Sequence, residues 1–309
     1  MVNYHFKADD HPNEWFMDYS KRDYEIVDYG YYELPEAPDV KFRAPLVPAE
    51  DMADGNYFSC VGGAHTKGVY IEHAYPEVLA DRIGVPSLNL GLGGAGPGFY
   101  LMNPALIDVM NRGRFVILQL MTARTEPNSA FAPYGFVESL FDIAAQKPIT
   151  SMEAWTRIFN EEPDKAPQYV AESRANWLRR HHELLDRITV PVILFYFSDR
   201  PLDQPIDYDA RSTLEIMRGF PHFVDVPSVE ALKPRCAAYA ECTSVRNFPH
   251  PLMSRFTGEQ VEVNSGAILS YAEGFKFTVN DYYPSSEMHQ DAAVVLERVV
   301  RNLPIAPAG

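Results

Sequence analysis

Short apolar runs alternate along the chain with stretches whose apolar residues recur at helical spacing, the rhythm of an α/β fold built on a mostly parallel sheet. Residues 57–61 are almost continuously apolar and end at Gly62-Gly63. Helix-compatible residues follow, and a second short run, 86–90, closes on the glycine-rich stretch 91–98. Strand, tight turn, helix and strand make a βαβ unit. The same reading predicts a helix over 97–112, a third strand over 114–121 and a long helix over 168–188. A fourth strand spans 190–197, where Pro191 fits at the beginning because it brings no N–H to a ladder. A fifth strand is expected over 222–226. The last helix opens near Pro284, with Ser285 or Ser286 as N-cap, and stops at Pro304.

Three segments lack a clean period. Residues 130–165 read as an insertion with short helices around 135–145 and 151–158, and 235–283 as irregular structure with a hairpin. Residues 1–55 hold Tyr4, Phe6, Trp15, Phe16, Tyr19, Tyr24, Tyr29, Tyr31 and Tyr32, too many aromatics for a free tail. They are expected to form an arm packed on a core domain over 56–303.

Composition narrows the partners. The 309 residues are 46% hydrophobic, ample for a packed core. A formal net charge of −15 argues against nucleic acid or an anionic membrane surface, which need a basic face. The first residues lack the basic start and apolar run of a signal peptide, and no run approaches a membrane-spanning length, so a cytoplasmic protein is expected. Cys60, Cys236 and Cys242 have no metal-ligand spacing, and neither a metal nor a cofactor is expected. Cys60 reads as a small core residue, and pairing of Cys236 with Cys242 fits a reducing compartment poorly. His181 and His182 are adjacent on the long helix and face different ways, so they share no metal. Oligomeric state leaves no trace in the sequence.

Ligands of parallel sheets sit outside the carboxyl ends of the strands. That edge should hold His65, Thr66 and Lys67 after the first strand, Asn89 to Gly98 after the second, Arg124 after the third and Arg200 after the fourth. His289 lies at the start of the last helix. Guanidinium groups bind carboxylate, sulfate or phosphate through a planar fork. Glycine-rich turns can add backbone amides. One reading is therefore a pocket for an anionic group. The other is that Arg124 and Arg200 pair with Glu126 and Asp199 as structural ion pairs.

Four pieces in this order resemble the SGNH (GDSL-like) hydrolase superfamily, over about 56–128 and again at the last helix. Gly62-Gly-Ala-His-Thr66 matches the block whose serine is the nucleophile, with Ala64 at the serine position. Leu88-Asn-Leu-Gly-Leu-Gly-Gly-Ala-Gly-Pro97 matches the second block, in which a glycine amide helps form the oxyanion hole, so Gly93 or Gly94 takes that part. Asn128 falls where the third block has an asparagine. Ser286-Glu-Met-His289 matches the last block, Asp-x-x-His, with Ser286 at the Asp position. The run 282–293 also resembles an uncharacterised bacterial group with SGNH-like cores, a domain of unknown function.

The resemblance implies a three-layer α/β/α sandwich with a flavodoxin-like, mostly parallel sheet. It implies an esterase- or transferase-type enzyme on an esterified or anionic carbohydrate-type substrate. His289 would then be acid or base, Asn128, Gly93 and Gly94 would stabilise an oxyanion, and Thr66 or a water would stand near the missing serine. Glu287 or Asp281 would orient His289. His65, Lys67, Arg124 and Arg200 would bind substrate. Two other classes stay open: a non-catalytic binding protein on the same fold, and a sulfotransferase-like enzyme holding its donor in the cationic pocket.

Overall fold

Strands β1 (Phe58–Val61), β2 (Ser87–Asn89), β3 (Val116–Gln119), β4 (Val192–Ser198) and β5 (Ala238–Thr243) form one sheet in the order 5-4-3-1-2. Every neighbouring pair is parallel, with Cys60 opposite both Asn89 and Ile117. This comes from a computed structural model that describes residues 4–5, 23–134, 139–210, 212–217, 219–264 and 276–303. Phe6, Trp15, Phe16, Tyr19 and Pro304 lie outside the described residues.

Alternate positions of the strands feed two separate apolar clusters, as a strand's two-residue period requires. Phe58, Cys60, Ile117, Ile193 and Phe195 join the cluster that also takes residues from α2 (Tyr75–Ile83) and α6 (Ser286–Arg301). Val61, Val116, Leu118, Val192 and Leu194 join the other, with residues from α4 (Pro104–Arg112) and α5 (Ala166–Arg187). Strands buried on both sides explain why the sequence shows continuous apolar runs rather than alternation.

The long α5 and the capped α6 are close to expectation. Ser285 is the N-cap, its Oγ accepting the Met288 N–H at 3.1 Å. The expected helix over 97–112 is instead two, α3 (Pro97–Met102) and α4, parted at Asn103 because Pro104 brings no N–H and pushes the residue before it out of helical geometry. The strand expected at 222–226 is absent. Phe223 has φ +65°, its carbonyl accepts from Arg174 Nε, and a helix, Val226–Leu232, begins directly after. The fifth strand is Ala238–Thr243, in the segment read as irregular; it lies at the sheet edge, and its partly exposed residues give a weak apolar signal. The pairs His250–Pro251 with Val279–Asn280 and Val263–Asn264 with Lys276–Phe277 supply hairpin-like pairing there.

The region 131–150 is an antiparallel three-stranded sheet, Phe131–Pro133, Ser139–Asp142 and Lys147–Thr150, where a short helix was expected. Buried Asp142 accepts the amides of Ala144 and Ala145 and turns the chain. The helix at 151–158 is present as Ser151–Glu161, with Thr150 and Glu153 in a capping box. In the amino-terminal segment Gly30–Leu34 and Ala37–Arg43 form a hairpin that Tyr4–His5 extends, and Tyr29, Tyr31 and Tyr32 are buried. All three cysteines are free thiols. Among the described residues no helix is long and apolar enough to cross a membrane.

Phe195 is fully buried against the rings of Tyr75 and Phe197, with centroids at 5.3 and 5.6 Å. Phe195→Ala should therefore lower stability by about 3–5 kcal/mol, read as a shifted urea midpoint at unchanged slope.

Candidate functional site

The sheet changes direction of winding at β1, which has β2 on one side and β3 on the other. The crevice at such a point is where open parallel sheets bind ligands. Directly after β1 the chain makes a single helical turn, α1 (Ala64–Lys67), and this turn is tied down from three directions. Thr66 Oγ donates to Gln119 Oε1 at the end of β3 at 2.6 Å, leaving the Tyr75 hydroxyl, 3.1 Å away, as donor to Thr66. Asn89 at the end of β2 donates from Nδ2 to the Thr66 carbonyl at 3.1 Å and accepts the Gly91 N–H at 2.9 Å. The buried Arg43 guanidinium donates to the carbonyls of Gly68, Ile71 and Glu72 just beyond the turn.

Glycine is required where these ties converge. A Cβ at Gly62 would overlap Thr66 Oγ and Gln119 Oε1, and one at Gly91 would overlap the backbone of Thr66 and Lys67. Tyr100 completes the edge. Its hydroxyl accepts the Gly62 N–H at 3.1 Å and donates to the carbonyl of Leu90 or Gly62, at 2.8 and 2.9 Å.

A cavity of about 40 Å³ lies at this edge, room for about three water molecules at most. Gly63, Ala64, Gly94 and Ala95 line one side of it, and Thr122, Arg124, Phe220 and the Tyr282–Tyr283 pair complete it. Gly93 and Gly94 occupy the middle of a turn closed by the Ala95 N–H on the Leu92 carbonyl at 3.1 Å, and Gly94 needs glycine because its φ is +73°.

Of the residues expected at a site, Gly94 and Arg124 reach this cavity. Arg124 Nη1 stands 3.4 Å from His222 Nε2, and His222 Nδ1 is 3.1 Å from Thr122 Oγ. Residues 65–67 diverge within one turn. His65 stacks on Phe220 at 4.2 Å and meets Tyr282 and Tyr283 edge-on. Thr66 is consumed by the tie to β3. Lys67 turns toward the amino-terminal hairpin, its Nζ 3.4 Å from the Tyr31 hydroxyl and 5.3 Å from the Tyr29 ring centre.

His289 is fully buried. Its Nδ1 accepts the Tyr75 backbone N–H at 3.0 Å, its ring lies within 16° of parallel to Tyr75, and its buried Nε2 has no hydrogen-bond partner among the described residues. Neither Glu287, which accepts from Asn247 Nδ2 at 3.1 Å, nor the exposed Asp281 and Ser286 takes the place of an orienting carboxylate. Asn128 shapes a turn away from the cavity, accepting the amides of Ala130 and Phe131 and donating to Ser173 Oγ. Arg200 turns three of its five N–H donors to carbonyls: Gly219 on Nε, Pro201 on Nη1 and Pro221 on Nη2. The expected pairing of Glu126 with Arg124 and of Asp199 with Arg200 is replaced by Glu126 with Arg180, at 3.1 Å.

Burial sets the charge of the edge. It pushes the His65 imidazole down to about 3 and His181 to about 4. His222 and His289 are also held well below the usual histidine range, first by burial and then by nearby Arg124 and His65 respectively. These rings are neutral at pH 7. Among the described residues no group of three His, Cys, Asp or Glu side chains is arranged to hold a metal.

A larger cleft of about 330 Å³ opens beside the cavity, with Gly94 on both. Gly96, Gly98, Glu126 and Arg180 contribute to it; the two glycines lie in the stretch 89–98 expected at this edge, Glu126 reads from the sequence only as an ion-pair partner, and Arg180 is not singled out there. The alternation of glycines at 94, 96 and 98 was the available signal.

A family model described as a domain of unknown function (DUF6473) matches residues 17–133. That stretch carries α1, both glycine turns and Arg124, and ends before α5 and His289. No curated protein matches the chain.

Tyr100→Phe removes the acceptor of a buried amide and should lower stability by about 1–3 kcal/mol in urea unfolding, with the secondary structure unchanged. The neutral histidines make a second expectation. Between pH 6.5 and about 3 the unfolded chain binds a proton at His65 that the folded chain refuses, so stability falls as pH drops through that window. His65→Phe should remove up to about 1.4 kcal/mol per pH unit from that slope between pH 6 and 4, measured by urea titrations at stepped pH.

Proposed function

We propose that this chain is a small-molecule-binding protein on an SGNH-like, flavodoxin-type three-layer α/β/α sandwich, and that it performs no serine-type acyl transfer. The strand order, read from the edge as 2-1-3-4-5, and the apolar clusters on alternate strand positions support that fold.

One observation carries the functional reading: the methyl of Ala64 stands at the wall of the switch-point cavity, at the position where the resemblance places the nucleophilic serine. The neighbouring hydroxyl, Thr66, already donates to Gln119. The histidine that the resemblance offers as base is also committed elsewhere. A neutral imidazole whose Nδ1 accepts an amide N–H carries its proton on Nε2, so His289 has no second lone pair with which to activate a nucleophile. The cavity's size favours binding elsewhere on this face, and the adjoining 330 Å³ cleft is of small-ligand size. The sulfotransferase-like reading is weakened at Arg200, which is held by three backbone carbonyls and lines neither the cavity nor the cleft.

The test compares ester hydrolysis and covalent labelling. The wild-type chain and His289→Ala, both verified as folded by thermal melting, should hydrolyse p-nitrophenyl acetate equally slowly, and a fluorophosphonate probe should label neither. A rate that falls in His289→Ala, on the scale of about a hundredfold for a positioned base, overturns the reading.

A further inference from the structure

The larger cleft is built around one ion pair. Glu126 follows β3 and is 1% exposed; its Oε2 lies 3.1 Å from Arg180 Nη1 on α5 and makes no hydrogen bond. Two glycines of α3 and the turn before it keep the floor open for this pair. A Cβ at Gly98 would stand 2.5 Å from Arg180 Nη1, and one at Gly96 would stand 3.3 Å from Glu126 Oε1. Phe99, Leu101, Met102 and Tyr134 give the mixed polar and apolar walls their apolar part; Met102 is 54% and Tyr134 46% exposed.

The charge of the cleft depends on Glu126. Burial raises its carboxyl to about 7, against the opposing pull of Arg180 and Arg179. Those two guanidinium groups are the charges facing it from α5. Glu183, on the rim, is held by Arg187 at 2.6 Å and Arg179 at 3.8 Å. Among the described residues lining the cleft, Gly94, Gly96, Gly98, Pro133, Tyr134 and Ser139 bring no charge. When Glu126 is neutral, no other carboxylate among the described residues forms an ion pair with Arg180 in the cleft.

We propose that this cleft binds a small oxyanion carried on a flat apolar body, an aryl carboxylate or aryl phosphate, whose charge replaces that of Glu126 on Arg180 while Glu126 takes up a proton. The aryl body covers Phe99, Met102 and Tyr134, and Arg179 at the rim adds a second guanidinium. The proposal rests on the reading of the chain as a binding protein and names the class of its ligand. Because the carboxylate competes with the ligand for Arg180, binding strengthens as pH falls through the Glu126 range.

Calorimetric titration of the full chain with phenylacetate, phenyl phosphate and the neutral phenylacetamide at pH 6 and pH 8 tests this. Phenylacetate should bind about tenfold more weakly at pH 8, the loss of the binding-competent protonated fraction across two pH units. Phenylacetamide should not bind. Glu126→Gln should bind phenylacetate equally at both pH values, and Arg180→Gln should lose binding at both, each variant being checked by its thermal melt. If phenyl phosphate binds more tightly than phenylacetate, the source of the oxyanion is a phosphate ester; the reverse order assigns a carboxylate. No binding of either anion to the wild-type chain, binding that survives Arg180→Gln, or a pH dependence that persists in Glu126→Gln overturns the proposal. Ester hydrolysis lost in His289→Ala would instead overturn the proposed function while leaving these titrations intact.

Discussion

The hydrogen bond from Thr66 Oγ to Gln119 Oε1 closes β1 onto β3 at the point where the sheet reverses its winding, and the carboxyl edge is organised by it. It is short and fully buried, and it positions a helical turn of four residues that has no length of its own to be stable. Tyr75 on α2 holds the same side chain and Asn89 on β2 holds the Thr66 carbonyl, so three elements meet at one residue. Space at that meeting is gained by omission: Gly62 and Gly91 let backbone and side chains approach closer than a Cβ permits. A hydroxyl serving as this tie is unavailable for chemistry, since its one proton is already placed. The same bond that builds the edge thus removes its nearest nucleophile.

Aromatic stacking then fills what the missing chemistry leaves. His65 lies on Phe220, His222 on Tyr282 and His289 on Tyr75, each pair within 30° of parallel. Held neutral by burial, the imidazoles behave here as polar aromatic rings, and a ring without charge packs against a tyrosine at little electrostatic cost. A catalytic imidazole is placed differently. It needs one nitrogen toward a nucleophile and the other toward a carboxylate, and His289 instead spends Nδ1 on a backbone amide.

The parallel strands were legible because both faces are buried and the runs are continuous, as at Val192–Ser198. What failed was local. The apolar stretch at 222–226 carries a positive φ at Phe223 and a carbonyl committed to Arg174, and the chain turns instead of pairing. Ala238–Thr243 pairs on one side only, so exposed Glu241 and Thr243 interrupt its pattern. At the site, sequence proximity misled: His65, Thr66 and Lys67 are consecutive, and a helical turn points each toward a different neighbour. The pairing of Glu126 with Arg180 was missed for the opposite reason. They are far apart in the chain and meet only because α5 crosses the glycine turn, a contact that no local pattern encodes.

The Glu126–Arg180 contact is also a polar feature of this face that stability explains poorly. A carboxylate held in a structural ion pair is stabilised by its partner and titrates below its ordinary value. Glu126 does the reverse: it is 1% exposed and rises to about 7, while Arg180 keeps 21% of its side chain in solvent. Desolvation falls almost wholly on the acid and outweighs a guanidinium at 3.1 Å, so near neutral pH the pair has little net attraction to contribute. An apolar pair of similar volume would fill the same space at lower electrostatic cost. What the charged pair has and an apolar one lacks is a guanidinium whose counter-ion leaves on protonation, and that property has a use where an anion arrives from solvent.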